Sequence, residues 1–261
     1  MRILFFGDID GKIARRAIQK ILPEWKKEFS PQVVIANADN VTHGRSINKN
    51  HFDLLREVGV DIFTAGDHTL EREEALSLLA DDRIPVLRPV NIEGDYPGRG
   101  ADIFVVGKEE LLVVCLLGQV FIDKETTSPF VALDDILQKF SGIKNIIVDF
   151  HAEATSEKAA LGWYADGRVS AVLGTHTHVQ TADERLLHKG TAFISDVGFC
   201  GAYNSVIGVD KDEVINYFLT KKKFKMNIPE KGEAVINAVL VDIDKEGRAE
   251  KIVRLRKIVL I

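Results

Sequence analysis

Five apolar runs in this chain end at residues that bind cations or move protons. Arg2–Phe6 runs into Gly7-Asp8, and Val33–Ala36 into Asn37-Ala38-Asp39-Asn40. Asp61–Ala65 leads to Gly66-Asp67-His68, Asn145–Phe150 to His151, and Ser170–Leu173 to Gly174-Thr175-His176-Thr177-His178. Three carboxylates, one amide and several imidazoles form a mixed oxygen and nitrogen donor set, suited to divalent Mn, Fe, Zn or Co. His176 and His178 lie two apart. On an extended backbone both imidazoles project to one side; in a turn they reach two different cations. Asp39 has two oxygens with which to bridge a cation pair. Two cations roughly 3.5–4 Å apart clamp a phosphate and generate a hydroxide nucleophile at neutral pH.

Local roles compete with this chemistry. Asp8 and Asp67 suit helix caps, Asp39-Asn40 suits an Asx turn, and the histidines suit hydrogen-bonded surface positions. Each role explains one residue. None explains why five separate strand ends carry the same donor types.

The intervening segments have the periodicity needed to position these residues. Ile13, Ala14, Ala17, Ile18, Ile21 and Trp25 recur at helical spacing, and Ser30-Pro31 ends that helix. Helices are expected over about Asn48–Val58 and Arg72–Leu79, with Pro85–Val90 as a fourth strand. The resulting β-α-β-α-β-α-β order predicts parallel strands with helical crossovers. In open α/β sheets ligands bind beyond the carboxyl ends of the strands, which is where the donors fall. Later, Asp102–Val106 and Leu111–Leu117 read as a hairpin, and helices are expected at Val131–Phe140, Ser156–Tyr164 and Lys211–Thr220. Leu186–Ser195 reads as a second hairpin, and long strands at Ala234–Ile243 and Ala249–Val259 close the chain. The pattern predicts one domain over 1–261 with two sheets, an early parallel half and a later half with antiparallel pieces.

Composition narrows the function. With 46% hydrophobic and 28% charged residues, the 261-residue chain can bury a sizeable core. Lys and Arg number 34 against 39 Asp and Glu, a net charge of −5. That balance argues against broad salt-driven binding to nucleic acid or anionic membrane. A small anionic substrate is compatible if cations supply the positive charge. Cys115 and Cys200 form no C-x-x-C pair, as expected of a reducing compartment. The apolar start is too short for a signal peptide, and no uncharged stretch approaches about 20 residues. The expectation is a soluble, cytoplasmic protein.

The same residues resemble those of the calcineurin-like metallophosphoesterases. Two longer runs, Asp149-Phe150-His151-Ala152-Glu153-Ala154-Thr155-Ser156-Glu157-Lys158 and Val172–Asp183, are similar to those of the YmdB-like family within that superfamily. The likeness extends through Arg88-Pro89-Val90-Asn91, Pro97-Gly98-Arg99-Gly100 and Asp196-Val197-Gly198. It implies an α/β fold, a four-layer α/β/β/α sandwich with two mixed sheets, and two divalent metal ions, Fe or Mn first, with Zn, Mg or Co as alternatives. It also implies phosphodiester hydrolysis, with 2′,3′-cyclic AMP among family substrates, and a cytoplasmic homo-oligomer. By matching motif, Asp8, Asn40 and His178 would hold one metal, Asp67, His151 and His176 the other, and Asp39 would bridge them. His68 matches the family's proton donor. The family usually has Glu at the position of Asp39 and Asn at that of Asp67. The shorter Asp39 still suits bridging, whereas Asp67 adds a charge that tightens a cation and repels a phosphate.

The expected reaction is attack on a small phosphodiester by a metal-bridging hydroxide, with His68 protonating the leaving oxygen. Rival expectations are a weakly active or inactive metal-binding regulatory scaffold, motivated by Asp67, and a phosphomonoesterase. His43 and Arg45 lie near the site in sequence, with roles at the phosphate or base set against plain surface positions. His51, His188 and Cys115 read as structural, and Cys200 has no evident base.

Overall fold

Alternation within β1 (Arg2–Phe6) shows how the layers are built. Ile3 and Phe5 face one core cluster while Leu4 and Phe6 face another, because successive strand side chains point to opposite faces. The computed structural model describes all residues, 1–261. After β1 come β2 (Asp8–Ile9), α1 (Gly11–Phe29), β3 (Val33–Asn37), α2 (Lys49–Val58), β4 (Ile62–Thr64) and α3 (Glu73–Leu79). The middle holds β5 (Ala101–Val106), β6 (Glu109–Leu117), α4 (Pro129–Lys139), β7 (Asn145–His151), α5 (Thr155–Ala165) and β8 (Ala171–Thr175). The last part holds β9 (Arg185–Leu186), β10 (Ala192–Ile194), β11 (Phe199–Ala202), β12 (Ser205–Val206), β13 (Val209–Asp210), α6 (Lys211–Thr220), β14 (Glu233–Ile243) and β15 (Ala249–Leu260).

Helix ends follow the chain's local chemistry. Asn48 caps α2 by accepting the His51 N–H at 2.9 Å, and Gly59, at φ +106°, closes it. Ser30 ends α1 in the left-handed region just before Pro31. No helix is long and apolar enough to cross a membrane.

Two mixed sheets result. The first runs β2-β11-β14-β1-β3-β4, with β15 also paired to β14; the second runs β5-β6-β7-β8-β10-β9. Outside the first sheet, Ile13, Ala17, Ile21 and Trp25 of α1 and Phe52 and Leu55 of α2 pack on Leu4, Phe6, Val34 and Ile236. Between the sheets, Phe5, Ile35, Val239 and Val241 meet Val113, Cys115, Ile147 and Ile194. Outside the second sheet, Leu133 of α4 and Leu161 of α5 cover Val114, Val148 and Phe150. These three apolar layers separate four layers of structure, the α/β/β/α sandwich.

Two expectations need correction. Pro85–Val90 is not a fourth strand. Only an isolated bridge joins Val86 to Phe63, and Val90 N then bonds Cys115 O in the other sheet at 2.9 Å. Pro85 and Pro89 lack the N–H a ladder requires, so this extended segment links the sheets instead of belonging to either. Nor do the sheets divide the chain into early and late halves. The late strands β11, β14 and β15 complete the first sheet, and β6, β7, β8 and β10 run parallel in the second.

Candidate active site

The carboxyl ends of β3, β4, β7 and β8 meet at one rim, with β2 beside them. His151, at the end of β7, is 1% exposed and sits at the centre. Its Nε2 lies 3.1 Å from Asp67 Oδ1, 3.1 Å from His176 Nδ1 and 3.6 Å from Asp39 Oδ2. Its Nδ1 lies 2.9 Å from Thr175 Oγ1 and 3.6 Å from Asp8 Oδ1. The Thr175 hydroxyl donates its one proton to Asp149 Oδ1 at 2.7 Å, so it accepts from His151 Nδ1–H. The lone pair of His151 is therefore on Nε2. Asp149 is itself held by Asn37 and Thr64, and burial pushes it up to about 6. Gly66 permits the close approach of His151: a methyl group there would lie 2.2 Å from Nε2.

Asp39 is fully buried. Its Oδ1 accepts the Gly66 N–H at 2.7 Å and the Thr69 hydroxyl at 3.2 Å, and the His68 N–H lies 3.1 Å from Oδ2. Desolvation raises its pKa, against the attraction of His151. His68 directs Nδ1 to Glu71 Oε1 at 2.9 Å, and its Nε2 lies 3.8 Å from Asp67 Oδ2. Burial would raise the Glu71 carboxyl, but the His68 hydrogen bond and the charges of Arg45 and Lys124 outweigh it and hold the group low.

The loop after β8 takes an uncommon path. His176 (φ +99°) and His178 (φ +64°) both lie in the left-handed region, at a cost of about 1–3 kcal/mol each. The His176 N–H donates to Asp8 Oδ2 at 3.1 Å. Asp196 Oδ2 accepts both the Thr177 N–H (3.0 Å) and its hydroxyl (2.8 Å), and Lys158 Nζ lies 2.7 Å from the same oxygen. His178 stacks on Phe199 at 5.1 Å and gives Nδ1 to the Ile207 carbonyl at 2.8 Å, leaving Nε2 free. The structure thus brings Asp39, Asp67, His68, His151 and His176 into two overlapping groups of ligand atoms. Asp8 touches both His151 and His176. Asn40 and His178 do not join those groups but line the same cavity, of about 350 Å³, together with Asp39, His68 and His176.

Two features fit divalent cations. Asp8 Oδ1 and Asn40 Oδ1 are buried and accept no hydrogen bond, which in a folded protein calls for a partner. In addition, Asp67 Oδ1, His151 Nε2 and His176 Nδ1 lie about one hydrogen-bond length apart, and with His176 Nε2 3.2 Å from Glu153 Oε2 the three atoms can turn lone pairs on one cation. Without a metal, protons on the rings hold the cluster together. Burial opposes charge on His151, but the Asp67 hydrogen bond and the Asp39 and Asp8 charges raise it to about 10. Burial would likewise raise Asp67, yet its bonds to His151 and His176 lower it. A larger hollow of about 520 Å³ elsewhere contains none of these residues. Its arginines are engaged: Arg83 with Asp81, Arg99 with Asp102, and Arg56 with backbone carbonyls.

Several contributors were not singled out from sequence. Glu71 lies three residues after His68, one turn on. Lys158 is a charged residue on the buried side of α5. Asp10 follows Asp8 by two on an extended run, where both side chains face one way; it is 3% exposed and lines the cavity. Burial, with Asp8 adding and His178 opposing, pushes it up to about 6.

The sandwich has the fold seen in calcineurin-like phosphoesterases: YfkN of Bacillus subtilis superposes with a TM-score of 0.54 over the whole chain and 90% of its own, at 10% identity, a likeness of fold alone. More closely, residues 4–255 match the family described as YmdB-like protein, and the chain belongs to that family. It is 38% identical over its full length to a 2′,3′-cyclic-nucleotide 2′-phosphodiesterase of Bacillus subtilis strain 168, covering 97% of that protein. The crystal structure of a phosphatase from Mycoplasma pneumoniae matches with a TM-score of 0.93 and 34% identity, over 99% of this chain and 93% of that one.

Proposed function

We propose that this protein is a metal-dependent phosphodiesterase acting on small diesters of the 2′,3′-cyclic nucleotide class. One observation carries the reading: the buried, partnerless oxygens of Asp8 and Asn40 share one sheet rim with the converging Asp67, His151 and His176, where Asn40, His176 and His68 line a cavity. The name of the Bacillus subtilis relative supports the substrate class.

Asp8, Asn40 and His178 would hold one cation, Asp67, His151 and His176 a second, with Asp39 between them; the donor set suits Fe or Mn. Cations there would withdraw charge from the phosphate oxygens and acidify the attacking water. The chain's own groups do the rest. Thr175 fixes His151 in the tautomer that presents Nε2. Glu71 accepts Nδ1–H from His68 at 2.9 Å, and the imidazolium form of that ring, which alone also carries Nε2–H, would give the leaving oxygen its proton. Ile207, Val209, Met226 and Ile228 form the apolar wall of the cavity, against which a nucleoside can lie while water is displaced.

The test is His68→Ala on metal-analysed protein. A general acid contributes about 10²–10⁴-fold, so turnover of 2′,3′-cyclic AMP should fall by that order while bound metal is unchanged. A diester with a p-nitrophenolate leaving group, which needs little protonation, should be affected far less. Metal-loaded wild-type protein inert to both diesters would point instead to a binding scaffold. The phosphatase name of the Mycoplasma pneumoniae structure makes monoesters the comparison substrate, and a preference for them would overturn the diester assignment.

A further inference from the structure

Asp10 lies outside the two groups of ligand atoms and has no partner. It is 3% exposed and occupies the N-cap position of α1, yet its side chain accepts no capping hydrogen bond. Its backbone N–H is donated to Cys200 O at 2.8 Å. Gly208 makes room for its carboxylate: a methyl there would lie 1.9 Å from Oδ2. Burying a carboxylate without a hydrogen bond or counter-charge is costly, and a 19-residue helix start offering unsatisfied N–H groups would be the ready remedy. The chain does not use that remedy. The carboxylate lines the cavity shared with Asn40 and His178 instead.

We infer that Asp10 is a further cation ligand, acting with Asp8, Asn40 and His178. The inference rests on the metal-site reading above. Asp8 and Asp10 project the same way from one extended run, since side chains two apart share a face. Asp8 Oδ1 and Asn40 Oδ1 are buried acceptors without donors, the Asp10 carboxylate opens on the cavity, and His178 keeps its Nε2 free. Three residues donating oxygen and one imidazole make this cation site richer in oxygen than the Asp67, His151 and His176 site, and hence harder. It should favour Mn²⁺ over Zn²⁺ more strongly than its neighbour does.

The experiment is calorimetric titration of metal-free protein with Mn²⁺, wild type against Asp10→Asn, together with thermal unfolding of both metal-free proteins. Wild type should take up two equivalents. Asp10→Asn is isosteric and should weaken one of the two sites by at least about 10-fold, a loss typical even of outer-sphere partners, and leave the other unchanged. Its metal-free form should unfold at a higher temperature than metal-free wild type, because a buried charge without a partner is gone. Two sites of wild-type affinity in Asp10→Asn would overturn the inference, as would a lowered metal-free midpoint, which marks a helix cap. Wild type that takes up no Mn²⁺ would instead overturn the metal-site reading itself.

Discussion

Lys158 Nζ lies 2.7 Å from Asp196 Oδ2, with both side chains almost sealed from water, at 2% and 1% exposure. The same carboxylate holds Thr177 by its N–H and hydroxyl and takes the Gly198 N–H on its other oxygen at 2.8 Å. The pair therefore anchors the backbone exactly between two histidines that turn through the left-handed region. Removing the ammonium strands a buried charge, which costs about 3–5 kcal/mol. Lys158→Met should lower unfolding stability by about that amount in urea titrations. Adding Asp196→Leu should cost less than the sum of the single changes, and the double variant should bind metal more weakly because Thr177 is released. A loss under about 1 kcal/mol for Lys158→Met would show that the pair anchors little.

Glu71 is proposed as the positioning residue of His68. Arg45 and Lys124 lie 3.0 and 3.6 Å from its carboxylate and fix it in turn. Glu71→Gln should lower kcat on 2′,3′-cyclic AMP about 10-fold, near the lower end of what general acid catalysis supplies, with KM little changed. The p-nitrophenyl diester should be nearly indifferent. An equal loss on both substrates would mean that Glu71 acts on the fold and not on the proton donor.

His51 predicts a pH dependence. Desolvation, then the charges of Arg15, His43 and Arg72, depress it to about 4 from an ordinary 6.5. The folded state thus holds the neutral ring, hydrogen-bonded to Thr42 Oγ1 at 2.8 Å, while the unfolded chain takes up a proton first as pH falls. The stabilisation is complete above about pH 6.5 and drains away between there and pH 4. The gap corresponds to about 3 kcal/mol, reduced to about 1–2 because the ring is partly solvated. Denaturation of wild type and His51→Gln at pH 7.5, 6, 5 and 4 should show the difference between them shrinking by most of that amount. A constant difference would exclude the mechanism.

Gly66 gives the sharpest steric test. A β-carbon there would fall 2.2–2.5 Å from three atoms of the His151 ring, so Gly66→Ala should displace the imidazole and cut metal content measured by elemental analysis. Far-UV circular dichroism should stay native, since the glycine follows β4 and belongs to no helix or strand.

The strand-end donors were legible because each apolar run stops where its sheet stops, so Asp8, Asp39, Asp67, His151 and His176 could be placed on one rim from pattern alone. Tautomers and anchors were not legible. Thr175 and Asp149 act on His151 through a hydroxyl whose direction depends on strand β8 lying beside β7, and Lys158 finds Asp196 38 residues away. Asp10 stood in plain view as an interruption of an apolar start, but its lack of partners is a tertiary fact. Pro85–Val90 has strand composition without the backbone donors a strand needs. The allocation of strands to sheets escaped for a related reason: pairing of β1 with β14 joins Arg2 to Asp242, a separation that periodicity cannot report.

That pairing also sets an order of events during synthesis. β14 lies between β1 and β11, so the sheet that carries Asp8 stays open until residues 233–243 have left the ribosome. Contacts of such long sequence separation form slowly, and an unpaired edge of Ile3, Leu4, Phe5 and Phe6 is sticky while it waits. A nascent chain stalled before residue 233 would already carry every strand-end donor, yet lack the central strand that joins β1 to β11, the strand beside Asp8. On the metal-site reading, cation capture would be deferred to the final stage of biosynthesis, and shortened chains would be exposed to proteolysis before they could sequester metal.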